Sequence, residues 1–403
     1  MSAPLSERGR LAPASPIRRL ASLSDGARAR GVHVHHLNIG QPDLPTVSAM
    51  RQAYRNYDGA TVAYSPSQGT AELRSAWADA YNRQGLPGTL APITAEDVLI
   101  TVGGSEALQL VFAAACDVGD AIAVAEPYYT NYRGVAHLLG IEVISVATDV
   151  ADGFAIDVAA LEAALTPAVR AIVLSSPGNP TGAVIDRPTL EALGALAVRR
   201  DLLLVLDEVY REFVYDDSGV APSALAIAGA EQHVAVIDSV SKRFSACGAR
   251  VGALVTRNRA LFDVCVRFAQ ARLSPPTVDQ AAVLAALQAP WDEVYASIAV
   301  YKRRRDVLVA ALREIPGVVA PTPAGAFYLI ADLPVADADA FCRFLLERFD
   351  YRGETVMLAP AEGFYRTPGA GRSQVRIAYV LEEAALLRAV DCLREGLRAY
   401  AGG

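Results

Sequence analysis

The stretch 234-VAVIDSVSKRFSACGARVG-252 opens on four apolar residues and closes on an arginine held in a Gly-Ala-Arg-Val-Gly turn, with Lys242 set among serines and other small residues. Its first part is apolar at consecutive positions instead of alternating, the signature of a strand covered on both faces. The same texture recurs in 97-DVLITV-102, 121-AIAVAE-126, 141-IEVISVA-147, 170-RAIVLSS-176, 202-LLLVLDE-208 and 251-VGALVT-256. Helical periodicity fills the gaps, as in 105-SEALQLVFAAACD-117 and 188-PTLEALGALAVRRD-201. Strands alternating with helices predict an α/β fold, here a large domain with a mainly parallel seven-stranded sheet between helices. Right-handed crossovers then bring the strand C-termini to one edge, where ligands bind in such sheets.

Beyond residue 290 the texture changes to a long charged helix, 292-DEVYASIAVYKRRRDVLVAALRE-314, and a Pro/Gly-rich piece, 316-PGVVAPTPAGAFYLIADL-333. This predicts a smaller α+β domain from 1–48 and 291–403 beside a large domain over 49–290. The N-terminus, 1-MSAPLSERGRLAPASPIRRL-20, reads as an arm that folds against the body or a partner.

Composition narrows the function classes. A net charge of -7 and the lack of a long basic block argue against nucleic acid, which needs a concentrated cationic face. The cluster 302-KRRR-305 reads as a solvated helix face. The longest apolar runs, such as 281-AAVLAAL-287, fall far short of a membrane span. Five scattered cysteines without a C-x-x-C pair fit reduced thiols in a cytoplasm. In 33-HVHH-36 no cysteine or acid stands at a metal-ligand spacing, so the histidines read as strand filler and no metal is expected. No G-x-G-x-x-G follows a strand, which counts against a dinucleotide-binding dehydrogenase. No basic recognition helix precedes the sheet, which counts against a DNA-binding regulator.

Polar residues fall directly after the apolar strands. Gly103, Gly104 and Ser105 follow the first and open a helix; Asn179 lies in 175-SSPGNPTG-182; Asp207 and Tyr210 lie in 207-DEVY-210; Ser239 and Lys242 follow the sixth. Strand ends that converge would give one cleft a lysine, a carboxylate, an amide, a phenol and an anion-binding helix start. Pyridoxal 5'-phosphate needs that set: a lysine as covalent tether, a carboxylate to keep the ring nitrogen protonated, and donors for the phosphate. A carboxylate about 4 Å from the pyridinium at an effective dielectric near 20 contributes roughly 4 kcal/mol, about three pKa units.

S-x-x-K followed by G-x-R, with N-P-T-G and D-E-V-Y in this order, resembles the class I pyridoxal-phosphate-dependent aminotransferases of fold type I, the aspartate aminotransferase family. The likeness runs from 36-HLNIGQPD-43 to 375-VRIAYV-380. It implies Lys242 as tether and proton carrier, and Asp207 as partner of the ring nitrogen. Asn179 and Tyr210 would bond the ring hydroxyl. Gly104, Ser105 and Glu106, through backbone N–H groups, would hold the phosphate with Ser239 and Arg250. Tyr129 would stack on the ring, and Tyr64, in 64-YSPSQG-69, would reach the phosphate of a neighbouring subunit, which makes a homodimer part of the expectation. Arg376, with Asn179 and Gly40, would take the substrate α-carboxylate. Met357 and Phe364 would line a wall, and Phe327 or Tyr328 would shape specificity.

The activity implied is ping-pong transfer of an amino group from an L-amino acid, aspartate or another, to a 2-oxo acid. Lyases, cyclases and oxidases of specialised amino-acid metabolism share this fold and form the alternative. In 272-RLSPPTVDQA-281 no arginine follows the prolines, which counts against the partner-subunit arginine by which one subgroup reads a distal carboxylate; another subgroup recognises aspartate differently, so aspartate stays among the donors.

Overall fold

The computed structural model describes residues 4–86 and 89–402. Its strands are β1 (His33–His36), β2 (Val98–Thr101), β3 (Ala121–Glu126), β4 (Glu142–Ala147), β5 (Val169–Ser175), β6 (Leu203–Asp207), β7 (Val234–Ser239), β8 (Gly252–Val255), β9 (Tyr328–Asp332), β10 (Glu354–Met357), β11 (Ala359–Pro360) and β12 (Gln374–Ala378). Seven of them form the central sheet in the order β2-β8-β7-β6-β5-β3-β4. Only β8 runs against its neighbours. The expected mainly parallel α/β sheet is therefore present.

Consecutive apolar residues are explained by the layers they enter. Leu99, Ile122, Val124, Val173, Val205, Ile237 and Leu254 join Leu108 and Phe112 of the helix Gly103–Ala115 on one face. Ile100, Ala123, Ile172, Leu174, Leu204, Leu206 and Val236 join Leu193 and Leu196 of the helix Arg187–Arg200 on the other. Neither face meets water, so neither needs polar alternation.

The remaining strands lie outside this sheet. β9, β11 and β12 form an antiparallel sheet in the order β11-β12-β9, and β1 pairs parallel with β10. The N-terminal arm packs against its own chain: Arg8 Nη1 donates to the Leu138 carbonyl at 3.0 Å, and residues 13–18 reach a cavity at the edge of the central sheet.

The expectation for the cationic cluster of the long helix is overturned. Lys302 and Arg303 are exposed, but Arg304 and Arg305 are buried, so 302-KRRR-305 is not a solvated face. Arg304 forks onto Asp43, with Nη1 at 2.6 Å and Nη2 at 2.9 Å, and also donates to the Val380 carbonyl. Arg305 donates to the Pro323 carbonyl at 2.9 Å and lies over the Tyr215 ring. A helix 22 residues long turns through every direction, and here two of four neighbouring cations point to the core, where acid and carbonyl partners offset desolvation.

Candidate active site

Strands β5, β6 and β7 are parallel, with Ser175 opposite Asp207 and Asp207 opposite Ile237, so Ser175, Asp207 and, two residues further on, Ser239 end them at the same edge. A cavity of about 890 Å³ opens there. Of the sequence-predicted residues, Gly40, Gly104, Ser105, Tyr129, Asn179, Asp207, Tyr210, Ser239, Lys242, Arg250 and Arg376 line it. Asp207 is the one carboxylate in that lining.

Lys242 sits on the short helix Val240–Arg243 that follows β7 directly. Ser239 caps it, accepting from the Ser241 N–H at 3.2 Å. Beneath it lies a buried ionic cluster: Asp238 accepts from Trp77 Nε1 at 2.9 Å and from Arg243 Nη2 at 3.0 Å, and Arg243 also reaches Glu212 at 2.8 Å. Those contacts fix the backbone on which Lys242 rides. Its Nζ donates to the Gly40 carbonyl at 2.8 Å and lies 3.7 Å from Cys247 Sγ.

Asp207 is buried at the end of β6, where Tyr132 donates to Oδ2 at 3.0 Å and the Val209 N–H to Oδ1 at 3.3 Å. Burial pushes its carboxyl up to about 6 in spite of those two donors. A carboxylate so placed calls for a cation, and a protonated pyridine nitrogen is one.

The helix Gly103–Ala115 starts with its N-terminus at the cavity, leaving backbone N–H groups free for an anion. Gly103 has φ +70, and a Cβ there would come within 2.4 Å of Arg250 Nη2. Glycine thus lets the arginine close over the helix start. Glu106 does not line the cavity: its Oε2 accepts from the Val102 N–H at 2.6 Å, and Arg272 Nε meets its Oε1 at 2.8 Å. Its acid caps the helix from behind, and only its backbone is placed to serve an anion.

Arg376, on β12, is fully buried. Nη1 donates to Asn179 Oδ1 at 3.0 Å and Nη2 to the Asn38 carbonyl at 2.5 Å, while Nε has no partner. The guanidinium lies over the rings of Tyr328 and Phe364, at 4.6 and 5.1 Å from their centroids. An orphaned buried donor on a planar fork at a cavity wall fits an incoming carboxylate. Orphaned donor, lone buried acid, lysine and glycine-opened helix start together match the groups that pyridoxal phosphate and an amino acid present.

Tyr64 stands apart: it is 78% exposed and does not line the cavity. Met357 is in the core instead of at the cavity wall. Several lining or supporting residues were not singled out from the sequence, among them Tyr132, Asn131 and Ser241. Tyr132 had a signal, since it lies one helical turn beyond Tyr129. Asn131, whose Nδ2 reaches Ser105 Oγ at 3.3 Å, had none.

The family model for aminotransferase class I and II matches residues 32–393. An aspartate/prephenate aminotransferase of Thermus thermophilus is 33% identical over 371 residues, 90% of this chain and 91% of the relative. An arginine–pyruvate transaminase of Pseudomonas aeruginosa is 32% identical, over 92% and 90%. Among solved structures, the aspartate aminotransferase from Thermus thermophilus with maleate superposes at a TM-score of 0.88 with 31% identity, over 98% of this chain and all of that one.

Proposed function

Since the chain belongs to the aminotransferase class I and II family, and is a pyridoxal-phosphate-dependent aminotransferase acting on amino acids and 2-oxo acids, we propose how its residues divide that work. The reading rests on one observation: Lys242, Asp207 and Arg376 meet in one cavity in which Asp207 is the lone acid. The donor is an L-amino acid, aspartate or another, and the exchange is ping-pong.

The cofactor, when bound, supplies an electron sink that makes the donor's α-proton acidic. Lys242 is its tether. With the cofactor bound, Lys242 Nζ would take the proton from the donor α-carbon as general base and, as general acid, would pass it on to a different carbon instead of back to the donor. Asp207, held by Tyr132, would keep the ring nitrogen protonated. Asn179 and Tyr210 would bond the ring hydroxyl, and Tyr129 would cover the ring face. The N–H groups of Gly104, Ser105 and Glu106, with Ser239 and Arg250, grip the phosphate.

Arg376 takes the α-carboxylate with Asn179 and Gly40 beside it, which sets the α-proton toward Lys242. Relatives of nearly equal identity are named for aspartate/prephenate and for arginine–pyruvate. The α-carboxylate is the part such donors share, so Arg376 carries the common requirement and other wall residues the choice of side chain.

The working unit is a homodimer in which Tyr64 reaches the partner's phosphate site. Its exposure in the single chain supports this. A large domain over 49–290 carries the cofactor, with 1–48 and 291–403 forming a smaller domain; the pairing of β1 with β10 supports joining the two ends. Five free cysteines fit a cytoplasmic setting. Among the described residues no helix is long and apolar enough to cross a membrane.

The test is a single-turnover experiment on the holoenzyme. Amino acids are added one at a time without acceptor while the bound cofactor's long-wavelength band is followed. Loss of the band with one equivalent of 2-oxo acid released, and recovery on adding 2-oxo acid, is the expected result and ranks the donors. Oxygen uptake or ammonia release without need of an acceptor would overturn it in favour of an oxidase or lyase.

A further inference from the structure

Near 33-HVHH-36 the sequence offers no cysteine or acid, but the fold supplies both. His33 and His35 share one face of β1 by strand alternation. Parallel pairing sets Glu354 of β10 opposite His33, and the helix Glu383–Ala401 carries Cys392 to the same place. His35 Nε2 lies 2.9 Å from Glu354 Oε2. One ligand atom each from His35, Glu354 and Cys392 lies within 4.8 Å of the other two. His35 and Cys392 are buried, at 2% and 1% exposure, while Glu354 is partly open to solvent and leaves an entry path.

We propose that His35, Glu354 and Cys392 bind a divalent transition-metal ion, zinc by its donor set, which ties β1, β10 and the C-terminal helix together. An imidazole, a thiolate and a carboxylate suit a borderline ion of this kind. Calcium and magnesium prefer all-oxygen shells, which this group does not offer. Tetrahedral zinc with bonds of about 2.0–2.3 Å sets its donors about 3.3–3.7 Å apart. Binding would bring the three donor atoms, now within 4.8 Å of one another, to this spacing by small side-chain shifts.

The thiol binds as thiolate and its proton leaves to solvent. A water takes the fourth position on the open side, near His33, whose ring centroid is 4.6 Å from that of His35. Arg388 Nε, 3.6 Å from Glu354 Oε2, belongs to a half-exposed side chain that can turn to solvent when the ion takes over the carboxylate. None of the three ligands lines the active-site cavity, so the ion acts as a staple and not in the reaction.

The experiment uses reduced holoenzyme freed of metal by chelator dialysis and titrated with Zn²⁺ in equilibrium dialysis. Wild type is expected to bind one zinc per chain more than Cys392→Ser, and to unfold a few degrees higher with zinc than without. His35→Gln is expected to weaken binding roughly tenfold or more, while Cys116→Ser leaves it unchanged. Cobalt in place of zinc should give a thiolate-to-metal absorption absent in Cys392→Ser. Glu354→Gln, at a partly exposed position, reads the same loss if either buried variant fails to fold. Zinc uptake equal in wild type, Cys392→Ser and Glu354→Gln overturns the site, as does no uptake by wild type at high micromolar zinc.

Discussion

The hydroxyls of Tyr210 and Tyr328 lie 2.7 Å apart, joining the loop after β6 to the first residue of β9. Tyr328 Oη also lies 3.3 Å from the Gly40 carbonyl that receives Lys242 Nζ, and its ring supports Arg376. A Cβ on Gly40 would fall 1.7 Å from that hydroxyl, so the glycine makes room for the contact. Cofactor-side and substrate-side residues thus share one phenol.

Tyr328→Phe keeps the ring over Arg376 and removes only the hydroxyl. A lost neutral hydrogen bond is worth about 1 kcal/mol, so kcat/KM should fall roughly fivefold with the fold intact. Combined with Tyr210→Phe, the loss should be less than the product of the two single losses, because the second change removes a bond already broken. Steady-state kinetics of the four proteins checks this.

Asp207→Ala should lower kcat by roughly three decades, the worth of about 4 kcal/mol between carboxylate and pyridinium, while cofactor stays bound through Lys242. Asp207 also predicts a pH effect on the cofactor-free protein. Burial raises its folded value to about 6 from 3.8. A group raised on folding contributes stability that is whole below about pH 4 and lost as pH rises through about 6. Urea unfolding of cofactor-free protein should therefore show Asp207→Asn gaining on wild type across that window, by on the order of 3 kcal/mol.

Arg376→Lys keeps the charge but loses the planar fork. We expect kcat/KM to drop by roughly two decades, about 3 kcal/mol, and by the same factor for every donor tested. A drop confined to one donor would move Arg376 from the α-carboxylate to the side chain.

Asp238→Ala strips the buried Arg243 and the Trp77 indole of a shared partner. Removing one member of a buried ion pair costs about 3–5 kcal/mol. Chemical denaturation should show that loss, and the weakened support of the Lys242 helix should appear as faster cofactor release.

Tyr64 is tested by a hybrid dimer of one Tyr64→Ala chain and one Lys242→Ala chain. With Tyr64 acting across the interface, the one live site keeps its full cofactor affinity. With Tyr64 acting within its own chain, that site is impaired.

What the sequence determined by itself is the part encoded over short distances. Consecutive apolar residues specify strands buried on both faces, and all seven central strands fall within a residue or so of their predicted limits. Lys242, Asp207 and Asn179 were readable because each ends a strand or lies within a few residues of its end, so chain order alone assigns them to one edge of a parallel sheet. Contacts across long separations were decided only by tertiary structure. The hydroxyl of Tyr328 meets Tyr210 across 118 residues, and His35 meets Glu354 across 319. Arg304 and Arg305 go to the core because Asp43 and the Pro323 carbonyl wait there, which no helical period announces. Periodicity reports which face of an element is dry; which polar groups meet on that face depends on how elements pack, and that depends on the whole chain at once.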